Sequence, residues 1–290
     1  MRAQRPVEQA KLLKMRSLLF VPGDRPERFE KAANSGADVI ILDLEDSVSL
    51  TNKQAARDAV SDYLTKPHRV PVFVRINPLD SEFVVEDVRT ISQTPLAGIV
   101  LPKAEGAASV LQLQALMGGH AIPILPIATE TPAAVFQLGS FREVNDALVG
   151  LTWGAEDLPA AIGATTSRNE DGSYTAPYEM VRSLTLFGAH AAGVAAIDTV
   201  FPDIKNLAGL AQYARTSARD GFTGMMAIHP VQVETINAAF TPGPDEIAWA
   251  RSVVDAFSKN PAAGVLELAG KMVDKPHLDQ ARKILQKVGT

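Results

Sequence analysis

Eight short apolar runs, each followed by a polar turn and mostly by a helical segment, divide residues 17 to 240. They are "SLLFV" (17–21), "DVIILD" (38–43), "VFVRI" (72–76), "AGIVL" (97–101), "IPILPIA" (122–128), "ALVGLT" (147–152), "AAIDTV" (195–200) and "TGMMAI" (223–228). Near-continuous apolar strands alternating with helices imply parallel strands covered on both faces. Eight such units match a (β/α)₈ TIM barrel, whose usual size is about 250 residues. A doubly wound sheet shows the same alternation, usually with fewer strands and often with a Gly-rich first turn. Here the first turn is "VPGDRP", without the GxGxxG spacing. The barrel is the expected fold.

Helix signals punctuate the pattern. "RPERFEKAANSG" places Gly36 where a C-cap belongs, and Thr51 with Gln54 stand at capping-box spacing. "TTSRNEDGSYT" (165–175) is a long polar insertion, expected as a mobile loop. "TPGPDE" ends the rhythm. Residues 1–240 are therefore assigned to the barrel and 241–290 to a C-terminal helical extension that barrel closure does not need.

Composition narrows the function classes. A net charge of −5 lacks the basic footprint of a nucleic-acid binder. No 18-residue apolar run is present to span a membrane. "MRAQRPVEQAKLLKMRS" lacks the apolar core of a secretory signal, so a cytoplasmic location is expected. There is no cysteine, which removes thiolate nucleophiles and zinc–thiolate sites.

In such a barrel the chemistry collects at the C-terminal tips of the strands. Those tips carry Asp43, Glu45 and Asp46 ("LDLED"), Arg75 ("VRIN"), Lys103 ("LPKAE"), Glu130 ("ATETP"), Glu156 and Asp157 ("GAEDLP") and His229 ("AIHP"). Carboxylates outnumber cations, and like charges at one barrel mouth call for a divalent cation. Oxygen ligands without cysteine or a histidine pair favour Mg²⁺ or Mn²⁺, with Glu130 and Asp157 as the candidate pair. Plainer readings stand beside this one. Asp157 also suits a helix's first turn for the macrodipole alone. Glu45 and Asp46 could be solvated turn residues, Arg75 a structural partner of the strand-two acids, Lys103 an exposed side chain, and His229 a hydrogen-bonded turn residue.

Taken in order, "RSLLFVPGDRPERFEKA", "DVIILDLEDSV", "VFVRIN", "GIVLPKAE", "IPILPIATETPAAV", "GAEDLPAAIGA", "AIDTVFPDI" and "GFTGMMAIHPVQVETINAAFTP" resemble the citrate lyase β-subunit-like family of acyl-CoA lyases, within the HpcH/HpaI aldolase/citrate lyase superfamily. The resemblance covers residues 16 to 290. It implies a (β/α)₈ barrel, Mg²⁺, and cleavage or formation of a C–C bond between a 2-oxo acid and an acetyl thioester of coenzyme A. Glu130 and Asp157 would hold the metal, and Arg75 the substrate's oxo or hydroxyl oxygen and carboxylate. Phe20, Lys31, Lys53, Arg57 and Asp203 would lie along the coenzyme A or acyl groove. Asp43, Glu45 and Asp46 would form a supporting layer that fixes Arg75 and metal-bound water. In "GKMVDKPHL" the resemblance makes Asp274 an acid/base serving a neighbouring subunit's site, the extension acting as its lid. A homo-oligomer, trimer or hexamer, follows. The substrate expected is (3S)-citramalyl-CoA. Malyl-CoA lyase or thioesterase activity, and a citrate lyase β subunit acting on an acyl-carrier protein within a larger assembly, are the alternatives.

Overall fold

The structure, a computed structural model, describes residues 6–288. Two compact units divide the chain, Met1–Asn237 and Ala238–Thr290.

In the first unit every run read as a strand is one. β1 (Ser17–Pro22), β2 (Val39–Asp43), β3 (Val72–Arg75), β4 (Gly98–Leu101), β5 (Ile124–Pro126), β6 (Gly150–Thr152), β7 (Ala195–Asp198) and β8 (Gly224–Ala227) form one parallel sheet. Its order is β5-β4-β3-β2-β1-β8-β7-β6. Between β5 and β6 the ring closes through isolated parallel bridges, Ile124 with Leu148 and Ile127 with Thr152. The helices α1 (Pro6–Ala10), α2 (Phe29–Ala33), α3 (Lys53–Leu64), α4 (Val84–Ile91), α5 (Ala107–Leu116), α6 (Pro132–Val135), α7 (Asp157–Ile162), α8 (Ala176–Ala192), α9 (Leu207–Asp220) and α10 (Val233–Ala239) complete the alternation. This is a TIM-barrel-like α/β fold. No helix among the described residues is long and apolar enough to cross a membrane.

Strand side chains alternate faces, and that period decides what reaches the barrel mouth. Leu18, Val39, Ile41, Phe73, Val100, Leu125, Ile197 and Met226 belong to one buried cluster. Each fully buried side chain of this size contributes about 1.5–3 kcal/mol. Gly98 makes room for the Phe73 ring, since a Cβ there would lie 2.8 Å from it. Stepping from Val39 and Ile41 by two gives Asp43, and from Phe73 gives Arg75. These two are direct register partners on adjacent strands. The inward phase that builds the core thus ends in an ion pair.

Several local expectations are corrected. The Thr51–Gln54 capping box does not form. The chain enters α3 through a 3₁₀ turn with Asn52 as N-cap, and Gln54 turns instead to Asp58. Asn34, not Gly36, caps α2, while Gly36 supplies a positive φ two residues on. Within the 165–175 insertion, Arg168 donates to the Gly172 carbonyl and the Tyr174 hydroxyl and stacks on the Tyr174 ring at 4.1 Å.

The second unit is α11 (Pro244–Lys259), an antiparallel hairpin of β9 (Val265–Leu268) and β10 (Lys271–Asp274), then α12 (Lys275–Lys287). The reading of the extension as helical missed this hairpin. Ala250, Val253, Phe257, Val273 and Ala281 form its core.

Candidate active site

Asp43 is 1% exposed and takes both Nε and Nη2 of Arg75, at 2.6 and 2.7 Å. A planar fork on a carboxylate fixes orientation as well as charge. The Glu45 and Ser47 amides and the Ser47 hydroxyl also donate to Asp43. Burial alone would raise the Asp43 carboxyl, but the Arg75 charge and these hydrogen bonds outweigh it and hold it below its ordinary range. Arg75 Nη1 lies 2.9 Å from Glu45 and 3.3 Å from Asp46, and its guanidinium stacks on Phe20 at 4.8 Å. Burial works against this cation too, yet the surrounding acids drive its pKa upward. Arg75 is both a structural partner of the strand-two acids and a fixed, charged wall.

Glu130 follows β5 and is 3% exposed. One oxygen accepts from the Lys103 amide at 2.6 Å. No donor among the described side chains meets the other. Burial first, then the charges of Glu45 and Asp157, push the Glu130 carboxyl up to about 8. A Cβ at Gly154 would lie 2.7 Å from Glu130 Cγ, so only glycine lets this carboxylate stand where it does. Thr131 caps α6 and Pro132 occupies its first turn, as the sequence implied. Asp157 opens α7, a third exposed, with Lys103 Nζ at 3.4 Å.

Arg75, Asp43, Asp46, Glu130, Glu156, Asp157 and Phe20 line one cavity of about 400 Å³ at the strand tips. Among the described residues no group of three or more histidines, cysteines or acids is placed to hold a metal. A pair of carboxylates with an open oxygen suits a hard divalent cation that completes its shell with water and substrate. Glu130, buried, with a donor on one oxygen only and repelled by its neighbours, fits that need.

The other expected site residues divide. Lys31 lines a second cavity of about 420 Å³ with Arg28 and His229. Phe20, Pro22 and Ile228 line both cavities. Lys53 is buried instead, with Nζ on the Leu44 and Glu45 carbonyls at 2.7 and 2.8 Å. Arg57 pairs with the buried Asp87 at 3.1 Å. Asp203 is exposed and accepts from the Lys205 amide. None of these three lines the two cavities. His229 accepts from the Val231 amide as N-cap of a 3₁₀ turn, the turn role weighed for it.

In the second unit Asp274 caps α12 and bonds His277 Nδ1 at 2.6 Å, so it has a local partner that sequence did not suggest. That bond holds the Asp274 carboxyl below its usual range. Sequence reasoning also passed over Asp198, the acid on β7. It accepts from Trp153 Nε1 at 2.6 Å, Ser217 at 2.6 Å and Arg182 at 3.0 Å, and so fixes the Trp153 wall of the cavity. Its place at a strand tip was the available signal.

The sequence pattern of the HpcH/HpaI aldolase/citrate lyase family matches residues 16–230. The chain belongs to this family. A citrate lyase subunit beta-like protein of Mycobacterium tuberculosis is 40% identical over 271 residues, covering 93% of this chain and 94% of its own. Human mitochondrial citramalyl-CoA lyase is 30% identical, over 94% and 85% of the two chains. The crystal structure of protein CitE from Mycobacterium tuberculosis in complex with magnesium, acetoacetate and coenzyme A superposes with a TM-score of 0.84 at 37% identity, covering 96% of this chain and all of the other. Family membership, barrel and tip chemistry therefore converge on one cavity.

Proposed function

We propose that this protein is a Mg²⁺-dependent carbon–carbon lyase that cleaves a 3-hydroxy-3-carboxyacyl-CoA, (3S)-citramalyl-CoA, to acetyl-CoA and pyruvate. The observation that carries this reading is the cavity itself, with Arg75 locked on Asp43 at one side and the under-bonded Glu130 with Asp157 at the other. The magnesium, acetoacetate and coenzyme A bound by the mycobacterial relative match those two needs, and the human relative acts on citramalyl-CoA. The two cavities share Phe20, so one long thioester can reach from Lys31 to Arg75.

Glu130 and Asp157 would hold the metal, which supplies Lewis acidity to the substrate's carboxylate and 3-hydroxyl. Cleavage removes the hydroxyl proton, breaks the bond to the thioester's α-carbon and returns a proton to that carbon. Arg75, already oriented, stabilises without reorganising the negative charge that the 3-oxygen carries once its proton has left, a charge that passes to the acetyl thioester's enolate as the carbon–carbon bond breaks. Asp274, supplied by a neighbouring copy and ionised at rest, takes up the hydroxyl proton and returns it to the enolate carbon, or takes the α-proton in the condensing direction. Trp153 excludes water from one side.

A second reading, a citrate lyase β subunit acting on an acyl-carrier thioester, is favoured by the name of the mycobacterial relative. Assay of the purified chain, stripped of metal and resupplied with Mg²⁺, against citramalyl-, malyl- and citryl-CoA separates the two. The expected result is metal-dependent release of acetyl-CoA and pyruvate from the first. Activity only on a carrier-protein thioester, or only with added partner chains, would return the β-subunit reading. Full turnover in excess chelator would remove the metal from both.

A further inference from the structure

Lys103, a strand-tip candidate for which a simply exposed side chain is the plainer reading, is held in place at both its amide and its ammonium. Its backbone φ is +49°, a left-handed conformation uncommon outside glycine. That turn aims its amide at Glu130 Oε2, 2.6 Å away. The same residue sends its ammonium to Glu45 Oε1 at 2.8 Å and to Asp157 Oδ1 at 3.4 Å. Glu45 in turn stands 2.9 Å from Arg75, so a single residue joins the arginine's acid to both candidate ligands, to Asp157 through its ammonium and to Glu130 through its amide.

The charges explain why a cation is kept here. Glu45 and Glu130 are each 3% exposed, Asp157 lines one cavity with Glu130, and Arg75 is already engaged by Asp43. Without a further positive charge these carboxylates repel one another at low dielectric. The Lys103 ammonium meets that demand from within the chain. A divalent cation held by Glu130 and Asp157 meets the same demand and shares the Asp157 carboxylate with the ammonium. Two cations that stabilise one anion cluster also repel each other.

We propose that Lys103 is a resident counter-cation, holding the Glu45–Glu130–Asp157 cluster together in the metal-free protein and thereby setting how tightly that cluster takes a divalent ion. It is a positioning residue with two parts: the amide aims Glu130, and the ammonium competes with the metal. This rests on Glu130 and Asp157 being the metal ligands.

A purely structural lysine and a competing one predict different signs. Losing a structural support loosens the ligands and weakens metal binding. Losing a competitor tightens it. The measurement is titration of the purified full chain with Mn²⁺, free Mn²⁺ being followed by electron paramagnetic resonance, for the parent, Lys103→Met, Lys103→Arg and Lys103→Gly. A charge in contact shifts a neighbouring equilibrium by one to three decades, with exposure pulling toward the lower end. Lys103→Met is expected to bind Mn²⁺ at least about fivefold tighter, and Lys103→Arg within about twofold of the parent. Lys103→Gly relaxes the backbone, keeps the amide and removes the side chain with its ammonium, so it is expected to tighten binding also, and it serves if the methionine variant does not fold. Without metal, Lys103→Met should melt below the parent, and saturating Mn²⁺ should close that gap. Unchanged or weaker Mn²⁺ affinity in both folded variants lacking the ammonium overturns the counter-cation proposal alone. A parent that binds no Mn²⁺, like Glu130→Gln, overturns the ligand reading and this proposal with it.

Discussion

Two arginine–aspartate pairs lie close together in sequence and differ in what they face. Arg57 on α3 meets Asp87 on α4, with Asn77 adding two further hydrogen bonds to the same carboxylate. Both partners are buried and neither lines the strand-tip cavity. Where Arg57 gives Asp87 a single hydrogen bond, Arg75 and Asp43 make a bidentate pair, at the inward end of two strands, where the guanidinium borders the cavity and stacks on Phe20. The chemistry of the residues is the same. The strand period and the register put one pair inside the frame and the other at the mouth.

Breaking the first pair should produce the larger loss of stability. Arg57→Leu leaves Asp87 buried without its cation, a change that costs about 3–5 kcal/mol. The hypothesis that Arg57 is structural predicts a much lower denaturation midpoint with kcat and KM of the surviving folded protein nearly unchanged. A raised KM for the thioester at unaltered stability would put Arg57 back in the coenzyme A groove.

The second pair should fail in the opposite way. Arg75→Lys keeps the charge and loses the fork that engages both Asp43 oxygens. We expect kcat/KM to fall at least about tenfold, roughly 1.4 kcal/mol in the barrier, with a smaller change in melting temperature than Arg57→Leu produces. Steady-state rates equal to the parent's would make Arg75 as structural as Arg57.

A carboxylate with no arginine sharpens the contrast. Glu130, pushed up to about 8 in the absence of metal, binds its proton more tightly folded than unfolded. A raised folded-state value stabilises the fold below the unfolded value and loses that contribution as pH rises through the folded one. Metal-free protein should therefore lose stability steadily between about pH 4.5 and pH 8, and Glu130→Gln should flatten that slope. Melting curves across this range check it, and an identical slope in both proteins would assign the titration elsewhere.

The barrel was legible because its strands are apolar runs that end in charge, and the inward phase of "VIILD" and "VFVR" carries Asp43 and Arg75 to the mouth. Direction was not legible. Lys53 and Arg57 are cations in the right segment, but a linear pattern does not reveal that their side chains turn to buried carbonyls and to Asp87. Lys103 was legible as a strand-tip cation, but not its role, which depends on a positive φ that its residue type disfavours. The β9–β10 hairpin escaped because only four residues a side carry its alternation, around a turn at Ala269 and Gly270. Asp274 looked solitary because its partner sits three residues on, across a helix start.

That helix start has a consequence for how Asp274 can be studied. The carboxylate proposed to move a proton also accepts from the His277 amide and begins α12. Removing it by Asp274→Ala therefore confounds two losses, because an uncapped helix is itself weaker by about 0.5–2 kcal/mol. Asparagine retains an oxygen that caps almost as well while giving up the acid–base chemistry. Asp274→Asn is thus the substitution whose phenotype can be attributed to proton transfer, whereas an alanine scan through residues 271–275 would confuse folding with catalysis at this position.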